Sequence, residues 1–62
     1  MNTITASIEV TNMKDLNILK PLIDHDIQNS AQLDEFIMIV NSDDSFESKF
    51  KNVEKLVRSI RN

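Results

Sequence analysis

Thr3–Val10, TITASIEV, is the stretch whose reading decides the fold. Ile4, Ala6, Ile8 and Val10 are apolar, while Thr3, Thr5, Ser7 and Glu9 fill the alternate positions. An unbroken period of two is the pattern of a half-buried β-strand. A strand cannot stand alone, because its backbone donors and acceptors need partners. The rest of the chain offers one internal candidate, Phe36–Val40, FIMIV.

That candidate reads better as helix. Leu33, Phe36, Ile37 and Val40 fall at helical spacing, Asn29 or Ser30 can cap, and Asp34 and Glu35 sit near the start, where the helix dipole favours acids and where strand formers are missing. A helix here carries Met38 and Ile39 off its main apolar face, so burial on more than one side is expected. With FIMIV in a helix, the expected partner of Thr3–Val10 is the same strand in a second copy. The expected fold is α+β, one N-terminal strand followed by two or three helices (β-α-α-α), with the strand paired across a homodimer; if FIMIV is a strand, the order becomes β-α-β-α.

Between these stretches, Met13, Leu16, Leu19 or Lys20, Ile23 and Ile27 keep helical spacing, and Asn12 can cap with Asp15 three residues on. Pro21 interrupts this run. A proline in a helix interior costs about 3 kcal/mol, whereas in the first turn its missing N–H is harmless. The cheaper arrangement starts the helix near Ile18 with Asn17 as cap and runs it to about Gln28. The last segment is the clearest helix: Asp44 and Glu47 form a capping-box-like pair, and Phe46, Phe50, Val53, Val57 and Ile60 make one stripe widened by Leu56. Glu47 with Lys51 and Glu54 with Arg58 are acid-first i,i+4 pairs, and Arg58 and Arg61 sit at the negative end of the dipole.

Composition narrows the functional classes. The 62 residues make a single domain near the lower size limit for independent folding. There is no cysteine and one histidine, so disulfides and the usual structural zinc sets are excluded and oligomerisation is the remaining common support. Glycine is absent, which rules out a glycine-rich phosphate cradle; Asn12, Asn29 and Asn41 fall at the expected element boundaries, where asparagine can replace glycine. No signal-peptide pattern and no long apolar run is present, which leads to the expectation of a cytoplasmic protein with no membrane partner.

Net charge is −3, unevenly spread: residues 1–48 hold nine acids and two bases, and residues 49–62 hold five bases and one acid. Most of the surface therefore repels nucleic acid. In Asp24-His25-Asp26, consecutive helix positions point about 100° apart and cannot converge on one ion, so no metal site is expected. The carboxylate pairs Asp34–Glu35 and Asp43–Asp44 suit helix capping better than acid–base catalysis, which needs a cleft that shifts their pKa values. No catalytic residue, cofactor or metal ligand is assigned. The acids Asp24, Asp26, Asp34, Glu35, Asp43 and Asp44 are the candidate face for a basic protein partner, and they equally serve solubility.

The order strand, helix, helix from Thr3 to about Asn41 resembles the ribbon-helix-helix repressors. That resemblance implies a dimeric ribbon in the DNA major groove, with Thr3, Thr5 and Ser7 reading bases and the amides near Ser30 meeting the backbone. The outward face here carries no Arg, Lys, Gln or Asn, and Glu9 has the wrong charge, which moves the expected partner from DNA to protein. Residues 8–28, with IEVTN, a short turn and LKPLID, also resemble small acidic accessory proteins of phages of Gram-positive bacteria. The resemblance implies a stoichiometric inhibitor acting in a host cytoplasm on a host protein such as a defence component; with the unpaired strand, the expected protein is a non-enzymatic homodimeric inhibitor, and the alternative is a ribbon-helix-helix-like DNA-binding regulator.

Overall fold

The computed structural model describes residues 4–62, so Thr3 of the expected strand lies outside the described residues. Three helices follow one another: α1 Met13–Ile23, α2 Ser30–Asn41 and α3 Phe46–Arg61. Each pair of helices is in contact. Asp15 near the start of α1 meets Lys49 near the start of α3, and Asp26 just past α1 meets Arg61 at the end of α3. The first and third helices are thus parallel, and α2 runs back antiparallel against both, its Val40 end meeting Lys49 near the start of α3.

No strand forms among the described residues, which corrects both the β-α-α-α α+β fold and its β-α-β-α alternative. Phe36–Val40 belongs to α2, so the segment before α1 has no internal strand to join. Its backbone is satisfied by side chains of α2 instead. The Ser7 amide donates to Asp34 Oδ1 at 2.9 Å and the Ser7 hydroxyl to Asp34 Oδ2 at 2.6 Å. Two helical turns along, Asn41 accepts from the Thr11 amide at 2.9 Å and donates to the Glu9 carbonyl at 2.8 Å. Asp34 and Asn41 are seven positions apart, so they share a helical face and hold an irregular strap that runs alongside α2. The strap bends at Ser7–Ile8, and only Ile8 and Val10 of its apolar set pack against the core; Ile4 and Ala6 remain exposed.

The first helix begins at Met13 rather than near Ile18. Asn12 Oδ1 accepts the Asp15 amide at 3.0 Å and Asn12 Nδ2 donates to Asp15 Oδ2 at 2.9 Å, so the cap is satisfied in both directions. Starting there buries Leu19 and Ile23 and brings Leu16 against the core. Pro21 then falls inside the helix but within its last turn, where it withholds one bond from an exposed stretch and the helix ends soon after. At the second helix, Asn29 is the cap and accepts the Gln32 amide at 2.9 Å. At the third, Ser45 caps by accepting the Ser48 amide at 3.2 Å, in place of the expected Asp44–Glu47 pair. No described residue has a positive φ, so the three asparagines act through their side chains and not as glycine substitutes.

The core is Leu19, Ile23, Phe36, Ile37, Val40, Val53 and Leu56. Each such side chain contributes roughly 1.5–3 kcal/mol by leaving water. Met38 is exposed, so α2 buries less of its circumference than its composition suggested. In the third helix the buried row is Lys49, Val53 and Leu56, which turns the helix away from the expected Phe46–Phe50 stripe.

Lys49 sets that rotation. Its side chain is 3% exposed; Nζ donates to Asp15 Oδ2 at 2.9 Å and to the Val40 carbonyl at 2.6 Å. One ammonium therefore touches all three helices, and among the described residues no buried side-chain polar atom lacks a partner. Removing one member of a buried pair leaves the other uncompensated at about 3–5 kcal/mol, a large share of the stability of a small domain. Lys49→Met is expected to lower unfolding free energy by about that amount in denaturant titrations, and adding Asp15→Asn is expected to recover part of the loss because the carboxylate is no longer charged. A double variant less stable than Lys49→Met alone would contradict this.

Candidate functional site

The strap and the helices leave the two sides of α1 in different states. On the side facing α2, Ile4 of the strap joins Lys20, Asp24, Ile27 and Leu33 around a shallow depression of about 240 Å³. On the side facing α3 the chain supplies no cover. Ile18 and Leu22 lie one turn apart on α1 and are 51% and 42% exposed, and Phe46 and Phe50 lie one turn apart on α3 and are 42% and 37% exposed.

Between Leu22 and Phe50 runs an open groove of about 530 Å³, floored by Val53 and Val57 and rimmed by Glu54, Arg58 and Arg61. The floor is part of the bundle core, which fixes the groove to rigid helices. Arg61 is held at the rim by Asp26, with Nε to Oδ1 at 2.9 Å and a second bond from Nη2 to Oδ2 at 3.3 Å. This hydrogen bond and the Arg61 charge hold the Asp26 carboxyl below its usual range, His25 adding a smaller effect in the same direction, and Asp26 in turn raises Arg61. Glu47 and Lys51 on the same flank are 3.9 Å apart and largely solvated, and Glu54 and Arg58 form no ion pair among the described residues.

The six acids expected to make one face are dispersed. Asp26 is committed to Arg61, and Asp34 to the strap, where the Ser7 hydroxyl and then the Ser7 amide hold its carboxyl below the usual range. Asp24 and Glu35 are exposed. Asp43 and Asp44 lie beyond the far end of α2, about 18 Å of helix from Asp24 and Asp26. Of the expected dimer strand, Thr5, Ser7 and Glu9 are exposed in the strap, and Ser7 and Glu9 are used within the chain. Among the described residues no three His, Asp or Glu side chains cluster as a metal site would need, and no helix is long and apolar enough to cross a membrane.

The sequence signal for the groove was present in part. Phe46, Phe50 and Val57 do form a stripe, but the stripe alone does not say which of its edges faces the core. Lys49 decides that, and it sits on the same helical row as Val53, Leu56 and Ile60. A lysine and an aspartate lodged in the apolar rows of two helices, Lys49 in one and Asp15 beside Leu19 and Ile23 in the other, are the trace of a buried pair.

Comparison with family models, with curated proteins and with solved structures gives no match. Nothing in them links the chain to ribbon-helix-helix or phage accessory proteins, and the ribbon that carried the former resemblance is not formed by residues 4–10.

Asp26 and Asp34 both bind a proton less readily in the folded chain than in the unfolded one. Each contact therefore stabilises the fold above the ordinary carboxylate pKa and is lost as pH falls through the lowered value. The melting temperature is expected to hold from about pH 7 to about pH 5 and to drop below about pH 4. The drop should be shallower in the Asp26→Asn/Asp34→Asn variant, and an unchanged acid profile would show that neither contact matters.

Proposed function

We propose that this chain is a non-enzymatic protein-interaction module whose contact face is the flank between α1 and α3. The observation that supports it is the open groove walled by the exposed Leu22 and Phe50, with Ile18 and Phe46 exposed one helical turn before each of them. Contiguous apolar surface rimmed by charge marks contact sites in small proteins, because leaving it in water forfeits the burial that the rest of the chain achieves. The N-terminal strap is bonded along α2 and packs Ile8 and Val10 against the core, and it leaves the flank between α1 and α3 open.

The carboxylates speak for anchoring over chemistry. Asp15, Asp26 and Asp34 are each bonded to a partner in another element, which fixes helices and strap to one another. The net charge of −3 and the interleaving of Glu47 and Glu54 with the bases of α3 favour protein over nucleic acid as the partner.

Affinity capture from cell lysate with the wild-type chain and with Leu22→Asp/Phe50→Asp tests the reading. Both positions are solvent-exposed, so the variant is expected to keep its helical circular dichroism. At least one protein retained by the wild type is expected to fall by on the order of tenfold or more with the variant. Identical retained sets from two equally folded chains would overturn the assignment of the flank.

A further inference from the structure

The flank carries its charges in an order that matches itself in reverse. Along α3 the exposed rim reads Glu47, Lys51, Glu54, Arg58, with Asp43 and Asp44 just before the helix and Arg61 at its end. The acidic end and the basic end lie at opposite poles of one helix. Two such helices side by side and parallel would meet like with like. Antiparallel, each acidic end meets a basic end.

A single antiparallel register satisfies the whole rim. When Glu47 of one copy stands opposite Arg58 of the other, Lys51 necessarily stands opposite Glu54, since both pairs are symmetric about the same midpoint of the helix. In that register Phe50 falls opposite the interval between Val53 and Val57, the two residues that floor the groove. A large side chain on one copy thus faces a recess on the other, which is how helices interdigitate. The i,i+4 pair that Glu47 now makes with Lys51 is long and solvated, so re-pairing sacrifices little.

We propose that a second copy of this chain covers the α1/α3 flank, with the two α3 helices antiparallel about a two-fold axis, Glu47 against the partner's Arg58 and Lys51 against the partner's Glu54. This rests on the reading of the flank as a contact face and names its occupant. The extent is adequate: the 16 residues of α3 span about 24 Å, and with α1 alongside the flank is about 20 Å wide, so pairing removes on the order of 500 Å² per copy and about 1,000 Å² in all. That is the lower bound for a specific interface and corresponds to a dimer that dissociates on dilution.

Sedimentation equilibrium of the full chain from low micromolar to millimolar concentration tests the proposal, with helical circular dichroism checked for every variant. The wild type is expected to show a monomer–dimer equilibrium that weakens with added salt. Glu47→Arg and Arg58→Glu are each expected to weaken it roughly tenfold, because each substitution places two like-charged pairs in a symmetric interface, and the combined Glu47→Arg/Arg58→Glu chain is expected to recover dimerisation. A dimer that Phe50→Asp leaves intact, or a double reversal no better than the single ones, would overturn the arrangement. A chain monomeric throughout overturns self-pairing, and the lysate comparison then separates two cases. If the flank variant still loses a captured protein, the contact face stands with another occupant; if capture is unchanged, the contact face falls as well.

Discussion

The Lys49 ammonium is the point at which the three helices are tied. Buried with its side chain 3% exposed, it is tolerated because Asp15 supplies a counter-charge from the first helix and the Val40 carbonyl an acceptor from the second. A charge taken out of water must find such partners, and there are few arrangements in which this one does. The start of the first helix, the end of the second and the rotation of the third are thereby fixed together. Asn12 extends the arrangement by bonding Asp15 while capping the helix that presents it.

Fixing the rotation of the third helix determines which residues are left over. With Lys49, Val53 and Leu56 turned inward, Phe46 and Phe50 are left exposed, and Phe50 lines the groove opposite Leu22. The apolar flank is thus a consequence of a polar contact on the other side of the same helix. Burying the phenylalanines fully would take Lys49 away from Asp15 and Val40, leaving its ammonium and the Val40 carbonyl without partners and Asp15 without its counter-charge.

The N-terminal strap shows the same economy of backbone hydrogen bonding. Strand alternation from Ile4 to Val10 is real, but alternation describes one extended segment and says nothing of whether a second exists. With FIMIV in a helix, two polar side chains on that helix, Asp34 and Asn41, take the place of a neighbouring strand. They satisfy the strap at two points rather than along its length, and so the strap is irregular while Ile8 and Val10 still reach the core.

Periodicity and capping chemistry in the sequence determined that Leu33–Val40 and Phe46–Ile60 are helical, that the second helix starts at Asn29–Ser30 and that most of the surface is acidic, because these depend on neighbours within a few positions. The start of the first helix was legible in Asn12 and Asp15 but outweighed by Pro21, whose cost depends on how near the helix end it falls. Only the tertiary structure decided that Asp34 and Asp26 serve as anchors, that Lys49 is buried and that Phe46 and Phe50 face outward. Those outcomes depend on groups that lie far apart in the chain: Asp15 is 34 positions from Lys49, Ser7 is 27 from Asp34 and Asp26 is 35 from Arg61. Local pattern fixes which faces of a helix are apolar; the choice among them is made by the polar groups that must be satisfied when the helices meet.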